Sequence, residues 1–148
     1  ATGKSGTFEH MTLVPGGHDC YCGRQGCAEC YCSVNSLLGD SDNLEEFFEK
    51  KSAGDTDCIE KWEDYLRHLS ILINNLHMVL EHTVILGGHV APYFTDEDFA
   101  KIRHYVAERS TFDDDTSYII PGKCPGDTVA IGAALPFIKE FIDGIYLI

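Results

Sequence analysis

Cys20-Tyr21-Cys22-Gly23-Arg24-Gln25-Gly26-Cys27 places three thiols within eight residues, interrupted by two glycines. Sulfurs so crowded cannot form independent disulfides, and in a reducing compartment such crowding points to metal. Zinc takes four ligands in a tetrahedron, and thiolates completed by an imidazole satisfy it. Gly23 and Gly26 suit the stretch, because a chain folding around one ion needs backbone angles that a Cβ resists. The fourth donor must come from elsewhere, and His10, His18, Cys30 and Cys32 are the candidates. Two other readings are weaker. Free cysteines would leave a polar loop with nothing to fix its shape, whereas a structural zinc contributes on the order of 10 kcal/mol of folding free energy in small peptides. A catalytic zinc needs an open coordination position, which four protein ligands do not leave.

Outward from this stretch, the 148 residues are 44% hydrophobic and 11% aromatic, enough for one globular domain with a core. Eleven basic against twenty-four acidic residues give a net charge of -13, which repels phosphate backbones and anionic membrane surfaces. Direct nucleic-acid or membrane contact by this segment is therefore not expected. No run approaches the ~20 apolar residues of a membrane span and no signal peptide is evident, so the chain reads as cytoplasmic. Cys58 and Cys124 lie apart from the cluster and are assigned no role.

Residues 1–148 read as a single segment, without internal repeat or linker. Ala1 to Gly6 leads directly into an expected strand, Thr7 to Val14, with nothing upstream to receive it, the mark of a fragment. The cysteine- and glycine-rich loop follows to about Cys30, then short helices around Cys32 to Leu38 and Asn43 to Lys51, the second capped from Asp40-Ser41-Asp42. Ile59, Trp62, Leu66, Leu69, Ile73, Leu76 and Leu80 repeat at steps of three and four, which predicts a central helix over 55–81. Additional apolar residues at Ile71, Leu72, Met78 and Val79 predict that its last turns are buried on nearly all sides. A strand over 82–88 ends at Gly87-Gly88, and Thr95 with Asp98 forms a helix start whose inward stripe is Phe99, Ile102 and Val106. A second strand, Thr116 to Ile120, and a small-residue helix from Asp127 to Ile142 containing Pro136 complete an α/β order.

His10 followed ten residues later by Cys20, and the run Cys-Tyr-Cys-Gly-Arg-Gln-Gly-Cys-Ala-Glu ending at Glu29, resemble the ROK family pattern CxCGxxGCxE. Val84-Ile85-Leu86-Gly87-Gly88 resembles the family's glycine turn near the nucleotide, and Ile131-Gly132-Ala133-Ala134-Leu135 its C-terminal helix. The resemblance implies the C-terminal part of an actin-like ATPase (ribonuclease H-like) lobe, with the N-terminal lobe and its phosphate motif absent. It implies His10, rather than Cys30, as fourth ligand beside Cys20, Cys22 and Cys27. It also implies sugar contacts from His10 and Glu29, and nucleotide contacts from Gly87 and Gly88.

Two departures stand out. The family's usual ExGH reads Thr7-Phe8-Glu9-His10, replacing a sugar-binding glutamate by Thr7; on a strand, Glu9 would face away from the site. His89 stands where the family often has another glycine, narrowing room for a nucleotide base. His68, His77, His82 and His104 read as ordinary core or surface residues.

Three functions follow from these features. One is the sugar-sensing region of a NagC/XylR-like transcriptional regulator with structural Zn2+. The second is a lobe of an ATP- and Mg2+-dependent hexose or N-acetylhexosamine kinase. The third, an independent zinc module, is poorly matched to so long an α/β remainder. Expected partners are a small sugar, the missing N-terminal lobe and a second copy of the chain, because a sheet cut at one side leaves apolar surface exposed.

Overall fold

The structure, a computed structural model, describes residues 7–39, 41, 43–110, 115–123 and 128–145. Ala1 to Gly6, Asp40, Asp42 and Cys124, discussed above, lie outside these. Helix α4, Thr56–Leu80, is the axis against which α1 (Glu29–Cys32), α2 (Val34–Leu38), α3 (Leu44–Ser52) and α5 (Asp96–Ala107) pack. Asp55 caps its start, accepting a 2.9 Å hydrogen bond from Cys58 N, and Glu81 ends it in the left-handed conformation, φ 49°. The apolar stripe explains the packing. Trp62, Leu66 and Ile73 are buried and join Leu37, Phe47 and Phe48 from the preceding helices with Phe99, Ile102 and Val106 from α5. Each such side chain stabilises the fold by roughly 1.5–3 kcal/mol relative to exposure.

The last turns of α4 are not buried as the composition predicts. Met78 and Val79 are 78% and 75% exposed, and Leu80 is exposed as well. The fully buried stretch of α4 ends at Ile73; beyond it His77 still stacks on Tyr118, ring centres 3.5 Å apart, while Met78, Val79 and Leu80 stay open to solvent.

After α4 the chain forms β1 (Val84–Leu86), crosses through α5 and returns as β2 (Ile119–Pro121), parallel to β1 with Val84 opposite Ile119. This strand–helix–strand unit is the α/β core expected from sequence, with strands shorter than expected. The Thr95–Asp98 capping box is present as read. Asp98 does more than cap. One oxygen accepts from Trp62 Nε1 at 2.8 Å, the other from the Thr95 backbone N–H at 2.9 Å and its hydroxyl at 2.8 Å, so a buried carboxylate is satisfied on both sides. Arg103 Nη2 donates to Ile119 O at 2.9 Å, tying α5 to β2.

Two N-terminal expectations are corrected. Thr7 to Val14 is not a strand: Phe8–His10 forms a 3-10 turn, and only Thr12 pairs, antiparallel, with Cys27. Leu13 N and Val14 N both donate to Gly26 O, at 2.7 and 3.2 Å, instead of alternating along a ladder, so the chain curls around the loop. The strand-face argument for Glu9 therefore lapses. The helix expected around Cys32 to Leu38 is α2, but the loop expected to run to about Cys30 already turns helical at Glu29 as α1; Ser33 separates the two, its extended backbone letting its hydroxyl accept from Ser36 N at 3.2 Å. The cap of α3 is Asn43, accepting from Glu46 N at 3.0 Å.

Helix α6, Thr128–Ile145, carries Pro136 inside it and exposes Phe137 and Phe141. Among the described residues no helix is long and apolar enough to cross a membrane.

Replacing Asp98 by Ala should remove a cap and leave the Trp62 indole N–H unpaired in the core, costing about 2–4 kcal/mol. Trp62 is the chain's single tryptophan, so denaturant unfolding followed by its fluorescence reads this directly. A midpoint unchanged from wild type would contradict the assigned role.

Candidate metal centre

The loop is held by backbone bonds that converge on glycine. Gly26 adopts φ +75°, and a Cβ there would collide with the Val14 carbonyl. Its N–H donates to His18 O at 2.9 Å while its carbonyl takes Leu13 and Val14, so residues 11–14 and 18–28 wrap each other. Cys20 N donates to Arg24 O at 2.8 Å and Gly23 N to Cys20 O at 2.9 Å, closing the tight turn that carries Cys20 and Cys22. The 3-10 turn at Phe8–His10 swings the imidazole over this turn.

The result is one constellation. The ligand atoms of His10, Cys20, Cys22 and Cys27 all lie within 4.8 Å of one another. Cys22 Sγ is 3.6 Å from Cys27 Sγ, and Cys20 Sγ is 3.7 Å from His10 Nδ1. A tetrahedral zinc with metal–sulfur bonds of ~2.3 Å sets its ligand atoms ~3.8 Å apart, so the observed spacing fits such an ion. The electrostatics agree. Arg24 beside Cys22 holds that thiol down to about 6. Burial, followed by the neighbouring sulfurs of Cys22 and Cys20, pushes Cys27 up to about 12. Thiolates this close repel one another, and a divalent cation is what allows all of them to ionise together.

Of the fourth-ligand candidates, His10 is the one brought to the sulfurs. His18 instead lies against Tyr31, ring centres 5.2 Å apart, and Tyr31 stacks on His68 of α4 at 4.5 Å. The Cys30 thiol turns to the carbonyls of Asp19 and His18, at 3.6 and 3.8 Å. Cys32 faces inward, where burial pushes its thiol up to about 12.

Glu29, the first residue of α1, is half-buried beside an open cleft of about 250 Å³ that Tyr21, Ser33, Asn35 and Ser36 also line. That volume lies below the roughly 300–1,000 Å³ of drug-sized pockets and leaves room for one small polar molecule. His10 does not line this cleft. Its Nδ1 faces Cys20, while Nε2 lies 3.3 Å from the Tyr21 hydroxyl, the two rings meeting edge to face. Tyr21 is the residue that sequence reasoning missed, although its place between two cysteine ligands was signal enough to examine it. Desolvation, then the Glu29 carboxylate, raise its phenol. Gly87 and Gly88 sit in the exposed turn at the C-terminal end of β1, with Gly88 at φ +82° and His89 exposed beside it. Carboxyl ends of parallel strands are where open α/β sheets take ligands.

Fold and site together define an α/β unit whose loop of one histidine and three cysteines is suited to a metal and is docked on the long central helix. The ROK family model matches residues 1–139, and the chain belongs to the ROK family. Among solved structures, the fold is similar to that of the ROK hexokinase from Thermus thermophilus, with a TM-score of 0.70, 24% sequence identity, and coverage of 90% of this chain and 48% of that one. The chain thus spans about half the length of that relative and shares its α/β fold over that part. A comparison with curated proteins found no match.

Cys22→Ser should lower bound metal and loosen the loop while α4 stays formed, read as metal stoichiometry by elemental analysis alongside helical circular dichroism. Wild-type metal content in that variant would remove Cys22 from the ligand set. In metal-free protein the two perturbed thiols should separate by reactivity. Cys22 is mostly thiolate at neutral pH and should alkylate first, more slowly as pH falls through about 6, while buried Cys27 resists. Added zinc should suppress both, as peptide mapping after alkylation will show.

Proposed function

We propose that this chain is the sugar-binding effector region of a ROK-family transcriptional regulator, in which a structural Zn2+ held by His10, Cys20, Cys22 and Cys27 fixes the loop that shapes the sugar site. The observation that carries this reading is the placement of Glu29: two residues beyond a ligand cysteine, it stands at a small polar cleft beside the metal loop. A carboxylate and an imidazole with one nitrogen committed to a metal are apt partners for sugar hydroxyls, because the ion fixes which nitrogen keeps its proton. With four protein donors the ion has no open position, so its part is structural.

Thr7 and His89 favour the regulator. Thr7 lacks the carboxylate that the family's pattern places there, and His89, exposed beside the Gly87-Gly88 turn, stands where that pattern often has a glycine. At a net charge of -13, operator contact would belong to another part of the protein, and the cytoplasm is the compartment in which these thiols stay reduced. The fold likeness to a hexokinase favours a second reading, a lobe of an ATP- and Mg2+-dependent sugar kinase whose general base lies in the other lobe. The exposed apolar residues at the end of α4, on β1 and along α6 suit packing against that lobe or a second copy of the chain.

Calorimetric titration of the full-length protein with a hexose and N-acetylhexosamine panel, with and without ATP, separates these. The regulator reading expects saturable sugar binding that ATP leaves unchanged and no ADP formation, with Glu29→Gln weakening it roughly 10-fold or more through loss of a charged hydrogen bond. Sugar-dependent ADP release would replace it with the kinase. Absence of any sugar binding would end both.

A further inference from the structure

We propose that Tyr21 is a specificity residue of the sugar site: its hydroxyl holds the place on His10 Nε2 that a sugar hydroxyl takes on binding, and its ring then covers the C–H face of the bound pyranose. This rests on the sugar-binding reading above and adds the residue that selects among sugars.

The two expected sugar contacts, His10 and Glu29, do not line one cleft. Glu29 faces the open cleft and His10 does not, and Tyr21 spans the gap by lining the cleft and touching His10 Nε2 at 3.3 Å. A metal bound at Nδ1 would leave the ring proton on Nε2, which would then donate it to the Tyr21 oxygen 3.3 Å away. A sugar hydroxyl reaching both His10 and Glu29 needs that same donor, so it must displace the phenol.

Displacement is cheap here. Tyr21 is 78% exposed, and its hydroxyl contact to His10 is long and solvent-accessible. Its backbone is the reverse. Cys20 and Cys22 on either side are in the donor cluster, so the ring swings about a fixed Cα beside the cleft. An exposed phenol on a rigid anchor, next to a carboxylate, is a platform for a ligand with one apolar face and a polar rim. A pyranose has a face of C–H bonds on each side of its ring, and an axial hydroxyl interrupts only the side to which it points. The ring therefore tells the two C4 epimers, glucose and galactose, apart by whether the face turned to it carries the axial hydroxyl.

The test uses full-length, zinc-loaded wild type, Tyr21→Phe, Tyr21→Ala and Glu29→Gln, each checked for wild-type zinc content. Affinities for D-glucose, N-acetyl-D-glucosamine and D-galactose are measured by calorimetry, and the His10 ring nitrogens by NMR without sugar. Phe keeps the ring and removes the competing acceptor, so it should bind at least as tightly as wild type and shift the His10 Nε2 resonance. Ala should weaken binding of the preferred epimer by roughly 3- to 10-fold and erase most of the difference between glucose and galactose. If wild type binds sugar and Glu29→Gln weakens it while both Tyr21 variants keep wild-type affinities and ranking, Tyr21 has no such part although the sugar site stands. If wild type binds none of the three, the sugar site falls and Tyr21's role with it.

Discussion

The approach of three sulfurs and one imidazole to a common point is the constraint on which the N-terminal third of the molecule depends. Residues 11–28 have little apolar substance of their own, with Cys20, Cys27 and Ala28 their only buried hydrophobic residues. Such a segment cannot offset its loss of backbone entropy, about 1–2 kcal/mol per residue, by burial alone. The backbone bonds converging on Gly26 give it a path, but several end on single acceptors, and two donors share one carbonyl. A shared ion would supply what burial does not, because one point of attachment would fix Cys20, Cys22, Cys27 and His10 at once.

That fixed loop matters to the rest only because it is docked. The stack of Tyr31 on His68 and the bond from His18 N–H to the Tyr31 hydroxyl, 2.9 Å, lean the loop and α1 against α4. Helix α4 in turn is locked to α5 through Trp62 and Asp98, and α5 to β2 through Arg103. Metal loop, long helix and strand unit thus form a chain of contacts in which each member positions the next. Glu29 sits at the first joint, on a helix of four residues that begins where the loop ends.

How far this was legible in the sequence varies with the physics behind each element. The donor set was readable because spacing alone brings three thiols together, and α4 because a stripe at steps of three and four has one meaning. The Thr95–Asp98 box was readable as a local hydrogen-bond pattern. The Phe8–His10 turn was not, since residues 7–14 alternate like a strand and only their wrapping around Gly26 decides otherwise. Burial at the end of α4 was misjudged for a related reason: Met78 and Val79 report apolarity, not whether a neighbour exists to cover them. Choosing His10 over Cys30 rested on family resemblance rather than on chemistry, as both are sound zinc ligands; in the fold the His10 imidazole lies among the three sulfurs. The partner of Asp98 across the core, Trp62, lies 36 residues away and no local pattern announces it.

The charge of the chain bears on what such a site can take. Twenty-four carboxylates against eleven basic side chains make a field that opposes any phosphorylated ligand arriving without a cation, while a neutral sugar feels none of it. Within that field a metal-loaded loop would add further negative charge, since three thiolates outweigh one divalent ion. A cleft next to such a centre is better suited to donors of hydrogen bonds than to anions, and Glu29 at its edge strengthens that bias. Sugar hydroxyls are such donors and phosphates are not. The same reasoning separates the two ends of the molecule: the metal loop and its cleft suit an uncharged polar ligand, whereas a nucleotide at Gly87 and Gly88 would need Mg2+ to offset its own charge.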